Sequence, residues 1–134
     1  MGFNLKVITP NGMFFDGEVE MLNVKIAEGY VGVLKDHVPL VSTVQISRME
    51  IKTEDARKVV AISNGVIHIA KDGTKIIANA AEYQEDIDVK RAEASKARAE
   101  ERLNSKDENI DVKRAEVSLH RAINRINIGN EQKQ

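Results

Sequence analysis

Residues 5–9, Leu-Lys-Val-Ile-Thr, begin a pattern of short apolar and polar alternation that recurs as far as about residue 79. A period of two predicts strands with one buried face. The predicted strands are 5–9, 13–15, 18–26, 30–34, 40–47, 49–53, 57–63, 66–71 and 74–79. Turn residues separate them: Pro10-Asn11-Gly12, Asp16-Gly17, Glu28-Gly29, and a polar loop at 35–39 in which Pro39 biases Val38 to extended backbone. Asn64-Gly65 and Asp72-Gly73 carry the signature of two-residue hairpins. Many short strands with no helical stretch between them predict an antiparallel β-sandwich or flattened barrel, not a parallel βαβ sheet.

After residue 84 the period changes. Val112, Ala115, Leu119, Ala122 and Ile126 fall at steps of three and four, with Ile123 widening the stripe. Val89, Ala92, Ala99 and Leu103 form the matching face upstream, interrupted by Lys96. The two stripes are copies of one unit. Ile-Asp-Val-Lys-Arg-Ala-Glu occurs at 87–93 and again at 110–116, and aligning 87–103 with 110–126 gives 11 identities in 17 positions. Each copy opens on an aspartate, Asp88 or Asp111, suited to cap the first free amides of a helix. The reading is two helices, 88–104 and 111–128, joined by a polar run at 104–109 short enough to make them antiparallel neighbours. The expected architecture is α+β: a β-sandwich domain over 1–84 followed by a helical hairpin over 85–134.

Composition divides the chain at the same place. Seven of eight glycines, both prolines and all five aromatic residues lie in 1–83, while Ala, Glu, Lys and Arg dominate the remainder. An alanine-rich seam buries little apolar area, worth a few kcal/mol at roughly 25 cal/mol per Å². Ordering some fifty residues costs far more. The hairpin is therefore expected to be weakly stable alone and to lean on the β domain or on another protein. Net charge is −1, and neither part has a basic surplus of the kind that marks a nucleic-acid binder. The chain has no cysteine, which excludes disulfides and thiolate metal sites and suits an intracellular protein. No apolar run is long enough to span a bilayer, and the opening residues lack the apolar core of a signal peptide.

Candidate chemistry is concentrated in the hairpin. Arg91, Arg98 and Arg102 recur as Arg114, Arg121 and Arg125, each set lining one side of its helix. Guanidiniums so placed are either a solvated, salt-bridged face with acids such as Glu93, Glu100, Glu101 and Glu116, or a clamp for a phosphate or carboxylate ligand. Elsewhere no nucleophile motif and no phosphate-cradling glycine loop occurs, and His37 and His68 have no carboxylate at ligand spacing. No catalytic role, catalytic cofactor or metal is expected.

Several segments in order resemble one family. Val7-Ile8-Thr9-Pro10-Asn11-Gly12, Glu28-Gly29-Tyr30-Val31-Gly32-Val33-Leu34, His37-Val38-Pro39-Leu40-Val41, Ser63-Asn64-Gly65 and Arg121-Ala122-Ile123-Asn124-Arg125-Ile126 are similar to the epsilon subunits of bacterial F-type ATP synthases, over nearly the whole chain. The resemblance implies a non-catalytic subunit of the rotating central stalk. Its partners would be the gamma subunit, the c-ring and the alpha/beta catalytic head, at the cytoplasmic face of the bacterial plasma membrane without insertion into it. The isolated chain would be a monomer. Tyr30, Asp36 and His37 would lie on the c-ring side; Tyr30 stands where relatives often carry Glu, and Lys35-Asp36 replaces a common Pro-Gly. The family hairpin takes two postures. Extended, it inhibits ATP hydrolysis, and Lys113, Arg114, Arg121 and Arg125 match the basic positions that meet an acidic segment of the beta subunit. Folded, in Bacillus-like members, it binds ATP as a regulatory ligand through an Ile/Leu-Asp-x-x-Arg-Ala motif, present here at Ile87, Asp88, Arg91 and Ala92. Glu82 and Asp88 would then face adenine, with Arg91, Arg98, Arg121 and Arg125 around the phosphates. Two readings stand beside it: a free-standing nucleotide sensor, and a helical-hairpin adaptor whose arginines bind only acidic protein surfaces, without ATP.

Overall fold

The computed structural model describes residues 2–105 and 109–131. The chain divides into two compact units, Met1–Gln84 and Glu85–Gln134. The first unit holds ten strands: β1 (Phe3–Thr9), β2 (Gly12–Val19), β3 (Met21–Ile26), β4 (Gly29–Val33), β5 (Leu40–Val44), β6 (Ser47–Lys52), β7 (Arg57–Ile62), β8 (Gly65–Ala70), β9 (Gly73–Ala78) and β10 (Ala81–Tyr83). Their hydrogen-bonded order is β10-β7-β6-β3-β5-β8-β9-β1-β2, with β4 on β3. The β-sandwich followed by a helical hairpin is the architecture expected from the alternation.

Strand β3 turns the corner between the two layers. One of its edges carries β4, from Leu22 opposite Val33 to Ile26 opposite Gly29. Along the other edge Met21–Asn23 pair with β6, while Ile26 pairs with Val44 of β5. Alternation then aims one face of every strand inward. Leu5 and Val7, Leu22 and Val24, Met49 and Ile51, Ile67 and Ile69, and Ile76 are all buried in one core. Between them Lys6, Lys25, His68 and Lys75 face solvent. The end strands β2 and β10 meet through side chains: Phe14 stacks on Tyr83 with ring centroids 4.4 Å apart, and the Lys58 ammonium lies 5.1 Å from the Tyr83 centroid.

The structure corrects the sequence reading in six places. Asp16-Gly17 does not end a strand: β2 runs through it, with Lys6 opposite Asp16 and Leu5 opposite Gly17, and the break falls at Glu20. A ladder to β1 outweighs the local turn preference, and a bulge between Val7 and Ile8 takes up the register. Asn64-Gly65 is not a hairpin, because β7 pairs with β6 and β10 while β8 pairs with β5 and β9. The predicted strand 40–47 splits at Gln45, whose amide donates to the Lys25 carbonyl. Strand β10 was not anticipated; three residues are too few for a period to register. The pair β1–β9 is parallel, the one exception to the antiparallel scheme among the described strands. The hairpin expected at Asp72-Gly73 forms one residue earlier: Lys71 and Asp72 are its loop, and Gly73, at φ +150°, already pairs with Ala70.

One charged cluster sits within the sheet. The Glu50 carboxylate is buried and paired with Arg57 and with Arg48, the latter at 2.9 Å. The hydrogen bond from Arg57, helped by Arg48, holds the carboxyl below its usual range against the opposing effect of burial. A depressed carboxylate pKa stabilises the fold above the unfolded-state value, and that contribution is lost as pH falls through the folded-state value. Arg57 is largely exposed, which weakens its share. Glu50→Gln is therefore expected to cost about 1 kcal/mol at neutral pH, with the gap to the native chain closing as pH falls through the lowered folded-state value. Urea midpoints at neutral pH and along an acid series check this.

Candidate functional site

The hairpin unit begins within a 3-10 turn at Gln84–Asp86 and contains α1 (Val89–Asn104) and α2 (Val112–Gly129). The middle of the connection, 106–108, lies outside the described residues. Both aspartates cap as their position in the repeat predicts. Asp88 Oδ1 accepts from the Arg91 amide at 3.1 Å, and Asp111 Oδ1 accepts from the Arg114 amide at 3.1 Å. Capping of this kind is worth about 1 kcal/mol to each helix.

Between the helices the buried residues are Ala92, Ala99, Ala115 and Ala122, with Ile128 beyond them. These alanines are spaced by seven within each helix and are equivalent in the repeat. The broader stripe expected from sequence is only partly realised. Leu103, Leu119 and Ile126 are half-buried, while Val112 and Ile123 are exposed. An alanine seam brings the helix backbones close, and larger side chains are left at its margins. Gly129 reflects the same close approach: a Cβ there would lie 2.6 Å from Val89 Cγ2.

Close approach of the backbones opens a groove beside the seam. It has a volume of about 380 Å³ and is lined by four repeat-related pairs: Ser95 with Ser118, Arg98 with Arg121, Ala99 with Ala122, and Arg102 with Arg125. Among the described residues no carboxylate lines it. Arg98 Nη2 donates to Ser95 Oγ at 3.0 Å, which orients that guanidinium along the helix. The arrangement gathers four guanidiniums in one concavity, a grouping able to take an anion in forked pairs.

The residues singled out from sequence are distributed as follows. Arg98, Arg121 and Arg125 line the groove together. Arg102, grouped with them by the repeat but not among the ATP-binding residues that the resemblance implies, is the fourth. Arg91 is exposed in the first turn of α1 and does not line the groove. Ala92 is fully buried in the seam, and Ile87 is half-buried near Gly129, so both are packing residues. Asp88 is exposed, with one oxygen engaged as a cap. Glu82 belongs to the first unit, half-buried on β10 opposite Ala61. Lys113 and Arg114 are exposed in the first turn of α2.

In the β unit, Tyr30 is exposed on β4. Asp36 has a left-handed backbone, φ +66°, and His37 Nδ1 donates to the Val38 carbonyl at 2.7 Å. Asp36 and His37 line a concavity of about 620 Å³ with 69–74 and the start of β1; Tyr30 does not. Among the described residues no group of three or more His, Cys, Asp or Glu could hold a metal, and no helix is long and apolar enough to cross a membrane.

Comparison with known proteins gives these arrangements a context. Residues 2–84 match the family model for the ATP synthase delta/epsilon chain β-sandwich domain, and residues 85–129 match that for the delta/epsilon chain long α-helix domain. The chain is 46% identical over 102 residues to the ATP synthase epsilon chain of Anoxybacillus flavithermus, covering 76% of each. It is 41% identical over 104 residues to that of Ruminococcus albus, covering 77% of this chain and 78% of the relative. Its fold is similar to a chain in the Euglena gracilis mitochondrial ATP synthase, with a TM-score of 0.76 at 21% identity over 89% of this chain and 76% of that one.

Proposed function

The chain belongs to the delta/epsilon-chain family of ATP synthases, among its epsilon chains, and on that premise we propose that it is a non-catalytic regulatory subunit of the rotor. It links the gamma subunit to the c-ring as part of the central stalk, at the cytoplasmic face of the membrane. Its hairpin restrains ATP hydrolysis when extended into the catalytic head, and ATP stabilises the folded posture. The observation that carries this reading is the groove itself, where both helices contribute two arginines to one concavity.

The groove explains how a small ligand selects a posture. It exists only while α1 and α2 lie side by side. Any posture that parts them splits four guanidiniums into two pairs, and bidentate contacts from both sides of a phosphate chain are lost. ATP therefore binds one posture better than the other, which is what a population shift requires. At a hundredfold excess over Kd the folded posture gains about 2.7 kcal/mol. A seam of alanines is weak enough for that to matter. Arg121 and Arg125 are claimed twice, by the nucleotide and by the acidic segment of the beta subunit, so the two occupants exclude each other. Asp88 and Glu82 supply carboxylates able to accept from the adenine amine. Tyr30, Asp36 and His37 mark the c-ring side of the β unit.

A chain ending at Gln84 is expected to assemble with gamma and the catalytic head yet to restrain ATP hydrolysis less than the full chain. The ATPase rate of the reconstituted complex measures this, and equal rates for the two chains would reject a regulatory hairpin.

A further inference from the structure

The chain contains two Asn-Gly bonds, Asn11-Gly12 and Asn64-Gly65, and the fold treats them in opposite ways. An asparagine that precedes glycine has one reaction open to it without a catalyst. The glycine amide nitrogen attacks the side-chain carbonyl carbon of asparagine. The bond from that carbon to Nδ2 breaks, and Nδ2 leaves as ammonia with the proton of the attacking nitrogen. A five-membered succinimide remains, and water opens it to aspartate or isoaspartate. Glycine permits the attack because no Cβ shields its nitrogen. The ring closes only where the backbone between the two residues has room to turn.

Asn64-Gly65 has no such room. Gly65 pairs with Val44 of β5 and with Ala78 of β9, and a Cβ on it would collide with the Ile77 carbonyl oxygen. The Asn64 carbonyl accepts from the Asn79 amide at 3.0 Å, and Asn64 Oδ1 accepts from Ser63 Oγ at 3.0 Å. Reaction there waits on a local opening of β8 from its neighbours. Asn11-Gly12 is placed differently. Asn11 sits in the two-residue loop Pro10-Asn11 that joins β1 to β2, and both Asn11 and Gly12 are exposed. Gly12 has φ +116°, and a Cβ there would meet nothing within 4 Å. Thr9 supports the loop through two long hydrogen bonds. Its Oγ1 accepts from the Asn11 amide and donates to the Gly12 carbonyl, each at 3.3 Å.

We propose that Asn11 is a site of spontaneous deamidation in the folded chain and that Asn64 is not. The product adds one negative charge to a formal net charge of −1. In the isoaspartyl form the main chain also gains a methylene inside a two-residue loop, and the tip of the β1–β2 hairpin re-forms around the longer connection.

Ageing of the full chain at mildly alkaline pH, followed by tryptic mapping with mass spectrometry, tests this. Residues 7–25 form the peptide that carries Asn11, and residues 59–71 form the one that carries Asn64. The amide-to-acid mass gain, and labelling by an isoaspartyl-specific methyltransferase, are expected at Asn11 at least about tenfold faster than at Asn64. In guanidinium chloride the two rates are expected to converge to within about threefold, since the fold alone separates them. Asn11→Gln, whose longer side chain would have to close a six-membered ring, is expected to leave position 11 unmodified. Equal rates in the folded chain, or faster reaction at Asn64, overturn the proposal. A folded chain that changes at neither site while the denatured chain changes at both overturns it too, because the loop would then protect Asn11. A gap that persists in denaturant assigns the difference to flanking residues and not to the fold, with the same consequence.

Discussion

The double variant Arg98→Gln/Arg121→Gln is expected to bind ATP at least about a hundredfold more weakly than the native chain. The two residues are equivalent in the repeat and line the groove from opposite helices. Each removes a charge-assisted hydrogen bond to phosphate, worth about 1.5–3 kcal/mol. Arg98 is exposed and Arg121 half-buried, so the lower end of that range applies, and the pair costs about 3 kcal/mol. Glutamine keeps helix propensity and length, which confines the change to charge and forked geometry. The alanine seam is untouched, because Ala99 and Ala122 provide it on the neighbouring positions. Calorimetry on the two chains decides the matter. A loss smaller than about threefold would mean that these guanidiniums do not meet the phosphates.

Gly65→Val is expected to destabilise the β unit by about 3 kcal/mol or more. Gly65 begins β8 and pairs with Val44 on one side and Ala78 on the other. A Cβ at this position would collide with the Ile77 carbonyl oxygen and lie 2.7 Å from the Ala78 Cα. Both are backbone atoms of an adjoining strand, so no rotamer change relieves the contact. Either the strands separate or the ladder shifts. Gly32 offers the control. A Cβ there meets nothing within 4 Å, and Gly32→Ala should leave stability within about 0.5 kcal/mol. Urea denaturation of the three chains measures the contrast, and similar midpoints for Gly65→Val and Gly32→Ala would show that β8 and β9 are not packed as described.

Gly65 also shows where sequence reasoning reaches its limit. Asn-Gly is a hairpin signal because both residues accept a positive φ. Here glycine is needed for clearance across a strand pair that joins β8 to β9, a relation between positions 65 and 77 that no local pattern encodes. Asp16-Gly17 misled for a similar reason, since the partner that keeps β2 extended lies on β1. What was legible had a local cause. Leu5, Val7, Ile67, Ile69 and Ile76 fill the core because alternation alone assigns them to one face. The helices were legible because the chain states them twice, with an aspartate cap each time. Within the site, helical spacing placed Arg98, Arg121 and Arg125 on usable faces. Arg102 stood in the same repeated set and Ala92 on the predicted apolar face; that the groove takes in Arg102 and leaves out Arg91 depends on how one helix sits on the other.

The account depends on a loosely held helix pair that a polyanion draws together. Amide hydrogen exchange of the full chain, with and without saturating ATP, tests that most directly. Protection should rise together in 89–104 and 112–129 when ATP is present, while β1 to β9 exchange at unchanged rates. Helices that exchange at the same rate with and without the nucleotide, at concentrations where calorimetry shows it bound, would contradict the account.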